Sequence, residues 1–241
     1  EYPMSATSRS QPSIEELKDI NQRFEGQTPQ EVLAYGLGQY FPGIVLACSF
    51  GPEDVVIWDM MHQINPESSF FYLDTDFLFK ETHDVRERIK IKYGLRSEQI
   101  IEVKSEFTPE QQAKKFGDLL WIQQPDQCCK IRKVDPLTRV LKGYSAWVTG
   151  IRRDQAPTRA NAKIMEWDEK FKLVKFNPLA AWTNDAVWSY IKANDLPYNV
   201  LHDQNYPSIG CTHCTAPVQL GQDPRSGRWK NFEKTECGLH N

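Results

Sequence analysis

Four of the six cysteines form two close pairs at distant points of the chain. Cys128 and Cys129 are adjacent, whereas Cys211 and Cys214 enclose two residues in a C-x-x-C motif. Neighbouring side chains on a helix diverge by about 100°, which suits the several irons of a cubane cluster. A single tetrahedral zinc ion instead needs sulfur atoms only about 3.8 Å apart. The pattern favours an iron–sulfur cluster that joins two parts of the chain, and a zinc site is the alternative.

Cys48 and Cys237 stand apart from these pairs. Cys48 lies in an apolar run and is expected to pack in the core. Cys237 lies close to the last residue, where segments are mobile unless they dock on the domain. Gly238 adds backbone freedom, and His240 is expected to help a thiolate form. A thiol on such a tail can reach two partners in turn, so Cys237 is a candidate nucleophile, with an incidental exposed thiol as the alternative.

Two polar turns follow predicted strands. Residues 49–51 (Ser-Phe-Gly) come after the first apolar run and open a helix, whose N-terminal N–H groups can bind an anion. Residues 73–75 (Leu-Asp-Thr) end the second predicted strand at the same sheet edge, where they can contact a ribose or a base. Taken alone, the first turn is a weak signal, because many strand–helix turns contain Ser and Gly. Ordinary turn chemistry and helix capping are the favoured explanation of the second turn when it is taken alone.

Basic side chains recur near these turns and near the cysteine pairs. An isolated group of this kind is usually a solvated surface. Here three groups lie at predicted strand ends or beside the candidate ligands, and arginine pairs with phosphate and sulfate oxygens in bidentate fashion. Together they predict an anion pocket. The groups are Lys130, Arg132 and Lys133; Arg152, Arg153 and Arg159; and Arg225 and Arg228.

Short apolar runs alternate with amphipathic segments along most of the chain. This alternation predicts an α/β fold with a mainly parallel sheet of five to six strands, flanked by helices and followed by a loop-rich C-terminal segment. Strands are predicted at residues 43–49, 69–73, 99–103, 146–149 and 173–176. Helices are predicted at residues 13–25, 28–41, 52–64, 80–93, 109–120, 130–142 and 183–194. Thr28 and Glu31 fit a capping box, and Thr183 fits an N-cap.

The bulk composition limits the class of protein. The 241 residues carry a net charge of −3, which argues mildly against a general nucleic-acid or membrane-surface binder. We find no apolar run of the roughly 20 residues that a membrane helix needs, and no secretory signal. The cysteines are therefore interpreted as thiols or metal ligands in the reducing cytoplasm. We predict a disordered lead at residues 1–12, a nucleotide-binding domain at 13–180 and a C-terminal region at 181–241. The first residue, Glu1, is typical of a trimmed or partial chain.

Seven motifs carry a family resemblance between about residues 43 and 240. They are SFGPED, LDTDFLF, CCKIRK, TGIRRDQAPTRA, YPSIGCTHC, RSGRW and KTECGLH. In this order they resemble the adenosine phosphosulfate and phosphoadenosine phosphosulfate reductases of assimilatory sulfate reduction. The resemblance implies a Rossmann-like adenine nucleotide α-hydrolase fold and a 4Fe–4S cluster on Cys128, Cys129, Cys211 and Cys214. It implies that Cys237 is the nucleophile. The implied substrate contacts are Ser49, Phe50, Gly51, Leu73, Asp74, Thr75, Lys133, Arg152, Arg225, Arg228 and His240.

The same resemblance implies a reaction. Cys237 would attack the sulfate sulfur of adenosine 5'-phosphosulfate, AMP would leave, and thioredoxin or glutaredoxin would release sulfite from an S-sulfocysteine for cysteine biosynthesis. The cysteine pairs favour the substrate without a 3'-phosphate, although some members of the family accept both. Relatives that cleave ATP have a Ser-Gly-Gly-x-Asp-Ser turn, and Phe50 replaces its first glycine here. This departure speaks against the nearest rival hypothesis, an ATP-dependent sulfur-transfer enzyme. A zinc-stabilised binding module is the rival from another class, and a homo-oligomer stays open.

Overall fold

Six strands form the central sheet of the computed structural model, which describes residues 10–230, 232–234 and 236–240. They are β1 (Ile44–Ala47), β2 (Phe70–Asp74), β3 (Ile100–Lys104), β4 (Ala146–Val148), β5 (Met165–Asp168) and β6 (Leu173–Phe176). The spatial order is β3-β2-β1-β4-β6-β5, and all neighbours are parallel except β5 and β6. The predicted mainly parallel α/β sheet is confirmed. The order reverses between β1 and β4, which creates a crevice at their carboxyl ends.

Strand β5 has no counterpart among the predicted strands. It is an antiparallel edge strand that pairs with β6 from Met165 opposite Phe176 to Asp168 opposite Leu173. Apolar and polar residues alternate along β5, and Glu166 forms a 3.3 Å ion pair with the buried Lys175. Continuous apolar runs identify buried parallel strands, so a short edge strand with polar residues at every second position escapes that criterion.

Nine α-helices surround the sheet in the described residues. They are α1 (Ile14–Phe24), α2 (Pro29–Tyr40), α3 (Pro52–Ile64), α4 (Lys80–Tyr93), α5 (Pro109–Phe116), α6 (Leu120–Gln123), α7 (Pro125–Cys129), α8 (Asp135–Leu141) and α9 (Asn184–Ala193). The bounds predicted for α3 and α4 are confirmed. So is the capping box of α2, where Thr28 and Glu31 each accept a hydrogen bond from the other's backbone N–H. Thr183 caps α9 through the backbone N–H of Ala186 at 3.2 Å.

Two helix predictions are wrong in their bounds. The helix predicted at 109–120 ends at Phe116, because Gly117 adopts a positive φ of 91° that breaks the helix. The helix predicted at 130–142 begins earlier, at Pro125, and contains a π-helical turn at Lys130–Val134. Pro136 lacks a backbone N–H, and the N–H of Asp135 bonds to the carbonyl of Lys130. This wide turn directly follows the Cys128–Cys129 pair.

Hydrophobic side chains cover both faces of the sheet. Leu46, Trp58 and Phe176 belong to the larger core on one face, and Trp147 and Leu137 belong to the core on the other. Helix α9 packs against α3 and adds Val187 and Ile191 to the larger core. Among the described helices, none is both long and apolar enough to cross a membrane. Of the lead predicted at residues 1–12, residues 1–9 lie outside the described residues, and residues 10–12 precede α1.

Candidate active site

A cavity of about 740 Å³ lies beyond the carboxyl ends of β1, β2 and β4. It occupies the crevice where the strand order reverses, which is the usual place for a ligand in an open α/β sheet. Eleven of the twelve residues predicted for catalysis and substrate binding line it, all except Asp74. They are Ser49, Phe50, Gly51, Leu73, Thr75, Lys133, Arg152, Arg225, Arg228, Cys237 and His240.

Asp74 has a different place from the one predicted. It is buried, and its carboxylate accepts a 2.9 Å hydrogen bond from the backbone N–H of Asp76. Lys104 on the neighbouring strand lies 3.2 Å from the other oxygen. Asp74 is absent from the cavity wall and instead stabilises the turn that follows β2. The contacts of Asp74 are explained by turn chemistry, which the sequence analysis gives as the alternative to substrate binding.

The turn between β1 and α3 is held by a buried carboxylate. Asp54 accepts hydrogen bonds from the backbone N–H and the hydroxyl of Ser49, both at 2.6 Å. Burial raises the pKa of Asp54 to about 6, although the hydrogen bonds from Ser49 oppose the rise. Phe50 adopts a positive φ of 61° and turns its ring into the core against Tyr72. No side chain caps α3, and its first turn lines the cavity, as an anion site requires.

The cations of the cavity wall differ in what they contact. Arg152 is already neutralised, because it pairs with Glu53 at 2.9 Å and with Asp154. Arg228 donates only to uncharged atoms, the carbonyl of Cys214 at 3.3 Å and the hydroxyl of Ser208 at 3.2 Å, among the described residues. Arg228 therefore keeps its positive charge available for a ligand.

Lys133 lies near cysteines of both pairs and near the candidate nucleophile. It lines the cavity and forms no hydrogen bond or ion pair with another described residue. Burial alone would lower the pKa of Lys133, but the nearby sulfur atoms of Cys211 and Cys237 outweigh it and raise the pKa above its ordinary value. Lys133 is thus a firmly protonated cation that a ligand in the cavity can reach.

The two cysteine pairs meet on one side of this cavity. Burial raises the pKa of Cys128 to about 12, and the other three cysteines of the pairs add to the rise. Such mutual influence requires the four thiols to lie close together. Thr75 Oγ1 lies 3.2 Å from Cys211 Sγ, and all six cysteines are free of disulfides. Within the described residues, no three His, Cys, Asp or Glu side chains are grouped as ligands of a single metal ion.

The segment that carries Cys237 is docked over the cavity. Lys170 donates a hydrogen bond to the carbonyl of Gly238, and Leu239 packs on the core that contains Trp147. The His240 ring stacks on Trp147 with 5.8 Å between the ring centres and 20° between the ring planes. These contacts hold Cys237 in the cavity wall.

The described contacts of His240 do not include Cys237, and its help in forming a thiolate stays a prediction. Burial lowers its pKa well below the ordinary value, and the charges of Lys175 and Arg159 lower it further. The ring is therefore neutral near pH 7 and supplies no positive charge for a thiolate. Its observed contact is the stacking on Trp147, which docks the tail.

Glu236 and Gln112 are among the residues at or near the site that were not predicted. Glu236 accepts two hydrogen bonds from Arg159, at 2.9 Å and 2.8 Å, and lines the cavity. Arg159 is one of the basic side chains of the predicted anion pocket, but no sequence signal pairs it with Glu236, 77 residues later. Gln112 looks like a surface residue of α5, yet it is buried and its amide lies 4.0 Å from Cys128 Sγ.

Comparisons with known proteins show similarity over most of the chain. Residues 43–217 match the profile of the phosphoadenosine phosphosulfate reductase domain. Adenosine 5'-phosphosulfate reductase of Staphylococcus haemolyticus is 53% identical over 87% of this chain and 86% of its own. The same-named protein of Shouchella clausii is 48% identical over 92% and 91%. A crystal structure of phosphoadenylyl-sulfate (PAPS) reductase from Candida auris, a phosphate complex, superposes with a TM-score of 0.76 at 31% identity, over 87% of this chain and 99% of that one.

Proposed function

Because the chain belongs to the phosphoadenosine phosphosulfate reductase family, we propose that it reduces adenosine 5'-phosphosulfate to sulfite and AMP. Two relatives with about half of their residues identical carry the name of that activity. The observation that carries the proposal is that Cys237 lines the same cavity as Lys133 and Arg228. A nucleophile and uncommitted cations are what the attack of a thiolate on an anionic sulfate group requires.

In the first step, the Cys237 thiolate attacks the sulfate sulfur. A bond forms between the two sulfur atoms, the bond from that sulfur to the bridging oxygen breaks, and AMP leaves with the bonding electrons. The product is an S-sulfocysteine. Without nearby cations, the negative charge of the substrate would repel the thiolate. Lys133 and Arg228 balance the negative charge of the substrate. Arg152 contributes less to this balance, because Glu53 and Asp154 already neutralise it.

In the second step, a dithiol protein of the thioredoxin or glutaredoxin type reduces the enzyme. One of its thiolates attacks the Cys237 sulfur and expels sulfite, which leaves a mixed disulfide. Its second thiolate then releases Cys237, and the partner leaves as a disulfide. Two electrons pass from the dithiol to the sulfur of the former sulfate. Because both proteins must start with reduced thiols, we place the reaction in the cytoplasm.

The four paired cysteines fit a 4Fe–4S cluster as its ligands. They are four thiols in largely buried surroundings, and the other thiols of the set contribute to the raised pKa of Cys128 and of Cys214. Thr75 lies at hydrogen-bond distance from one of the four sulfurs. We propose that Cys128, Cys129, Cys211 and Cys214 hold the cluster, which when bound adds to the local electrostatics and joins the helix of Lys133 to the C-terminal region. Both electrons of the reaction come from the dithiol partner.

The 3'-phosphorylated nucleotide is the second candidate substrate. The favouring observation is the similarity to a PAPS reductase in both sequence and structure. The experiment supplies the purified protein with reduced thioredoxin and either nucleotide, and it measures sulfite. We expect faster release from adenosine 5'-phosphosulfate. Faster release from the 3'-phosphorylated form would reverse the preference, and the absence of sulfite from both would contradict the proposed reaction.

A further inference from the structure

A carboxylate of the tail lies between two guanidinium groups inside the cavity. Besides its two bonds from Arg159, Glu236 accepts a hydrogen bond from Arg225 Nη2 at 3.1 Å. Thr158 Oγ1 donates a further one at 3.3 Å. The side chain of Glu236 is only 6% exposed. We call Glu236, Arg159 and Arg225 the Glu236 clasp.

The clasp differs from the other charged contacts of the cavity in the origin of its negative charge. Arg152 is neutralised by Glu53 and Asp154, which belong to the wall on which the ligand would lie. In the clasp the negative charge comes from the tail, at the residue next to Cys237. A change at the clasp therefore acts on the segment that carries the nucleophile.

One carboxylate cannot balance two guanidinium groups. Burial lowers the pKa of Arg225, and the positive charge of Arg159 lowers it further, because the two groups lie close enough to repel each other. The clasp itself, with one carboxylate between two guanidinium groups, therefore carries a net positive charge. Phosphate and sulfate oxygens match the fork of a guanidinium as a carboxylate does. Glu236 thus occupies donors that an anionic group of a nucleotide would also use.

We propose that Glu236 competes with the phosphosulfate group of the nucleotide for Arg159 and Arg225. Binding of the nucleotide then opens the clasp, and departure of AMP allows it to close again. Two other contacts of the tail do not involve the clasp, namely those of Gly238 with Lys170 and of His240 with Trp147. They keep Cys237 at the cavity when the carboxylate of Glu236 dissociates from the two arginines. Glu236 is in this sense a positioning residue. The inference rests on the proposed function, since it requires an anionic nucleotide in the cavity.

The first test measures AMP binding by calorimetry on the cluster-containing protein. Glu236→Gln removes the competing charge, and Glu233→Gln removes the same charge from an exposed position three residues earlier in the tail. We expect Glu236→Gln to bind AMP about tenfold more tightly than the wild type, because a charge-assisted contact is released for the ligand. Glu233→Gln should match the wild type. Unchanged or weaker binding by Glu236→Gln would overturn the competition.

The second test measures how fast iodoacetamide modifies Cys237, followed in the peptide that contains it. The ligand-free Glu236→Gln protein should react faster than the wild type, and Glu233→Gln should not. Faster modification without tighter AMP binding would reduce the clasp to a structural tie of the tail and overturn the competition. Failure of all three proteins to bind AMP would contradict the nucleotide site itself, which is a different result from equal binding by all three.

Discussion

Gly150 lies against the carboxylate of Asp54 so closely that no Cβ atom would fit between them. Gly150 follows β4, and Asp54 belongs to the first turn of α3, so the contact joins two neighbouring strand ends across the cavity. Asp54 in turn holds the backbone and the hydroxyl of Ser49. The absence of a side chain at Gly150 therefore leaves room for Asp54 to hold the turn after β1, where we expect the nucleotide to bind.

Gly150→Ala should disturb this turn. Its Cβ would collide with Asp54 and would lie 2.9 Å from Glu53 Cβ, so the backbone must shift. We expect the free energy of unfolding to fall by about 1–3 kcal/mol, as for other overpacked sites. AMP binding, measured by calorimetry, should weaken at least tenfold, because even a small displacement of the residues in a site weakens their contacts with the ligand.

Gly38→Ala is the matched control for that substitution. Gly38 lies in α2, and a Cβ there meets no atom within 4 Å. Alanine should therefore stabilise the helix by up to about 1 kcal/mol and leave AMP binding unchanged. Equal behaviour of the two alanine variants would show that the contact between Gly150 and Asp54 does not shape the site.

Lys133→Gln should slow sulfite release by about 10- to 100-fold, because a charge-assisted contact with the reacting group is lost. The control is Lys130→Gln, three residues earlier. Lys130 is exposed and pairs with Asp135 at 2.8 Å, a surface contact worth at most about 1 kcal/mol. Steady-state rates at saturating nucleotide separate the two variants. A similar small loss in both would remove Lys133 from charge stabilisation.

Much of the fold follows from local patterns in the sequence. Helices α3 and α4 have the predicted bounds, because their periodicity and the residues around them agree. Strand β5 has no counterpart among the predicted strands, because an edge strand lacks the continuous apolar run of a buried strand. The π-helical turn depends on the backbone hydrogen bond from the N–H of Asp135 to the carbonyl of Lys130, which no residue type predicts. The sequence motifs indicate which residues reach the cavity, but not the direction of Asp74 or the pairing of Glu236 with Arg159, because both depend on contacts between distant segments.

Ionisation of Asp54 should make the folded state less stable as the pH rises. Burial raises its pKa from 3.8 to about 6, so between these values the folded protein binds more protons than the unfolded chain. Stability due to this group is complete below pH 3.8 and is lost as the pH rises to about 6, by up to about 3 kcal/mol. The thermal midpoint of the wild type minus that of Asp54→Asn should therefore decrease between about pH 4.5 and about pH 7. A difference that increases over this range would contradict the raised pKa.

Cys237→Ser should bind AMP like the wild type and never form a sulfonated enzyme, because serine cannot supply the thiolate that attacks sulfur. Without a reductant, the wild type mixed with adenosine 5'-phosphosulfate should gain the mass of one SO₃ group on the peptide that contains Cys237. The variant should show no such gain by mass spectrometry and should release no sulfite when thioredoxin is added. Normal turnover by the variant would rule out Cys237 as the nucleophile.

Substitution of a paired cysteine separates the cluster from the zinc alternative. The purified protein should be brown and contain about four irons per chain, and Cys128→Ser should lose most of that iron and of the visible absorbance. Cys48→Ala should retain both, because Cys48 is buried in the larger core, apart from the two pairs. Iron content and the absorption spectrum measure this without reference to turnover. A colourless wild type with one zinc per chain would contradict the cluster, while leaving Cys237 in place as the nucleophile.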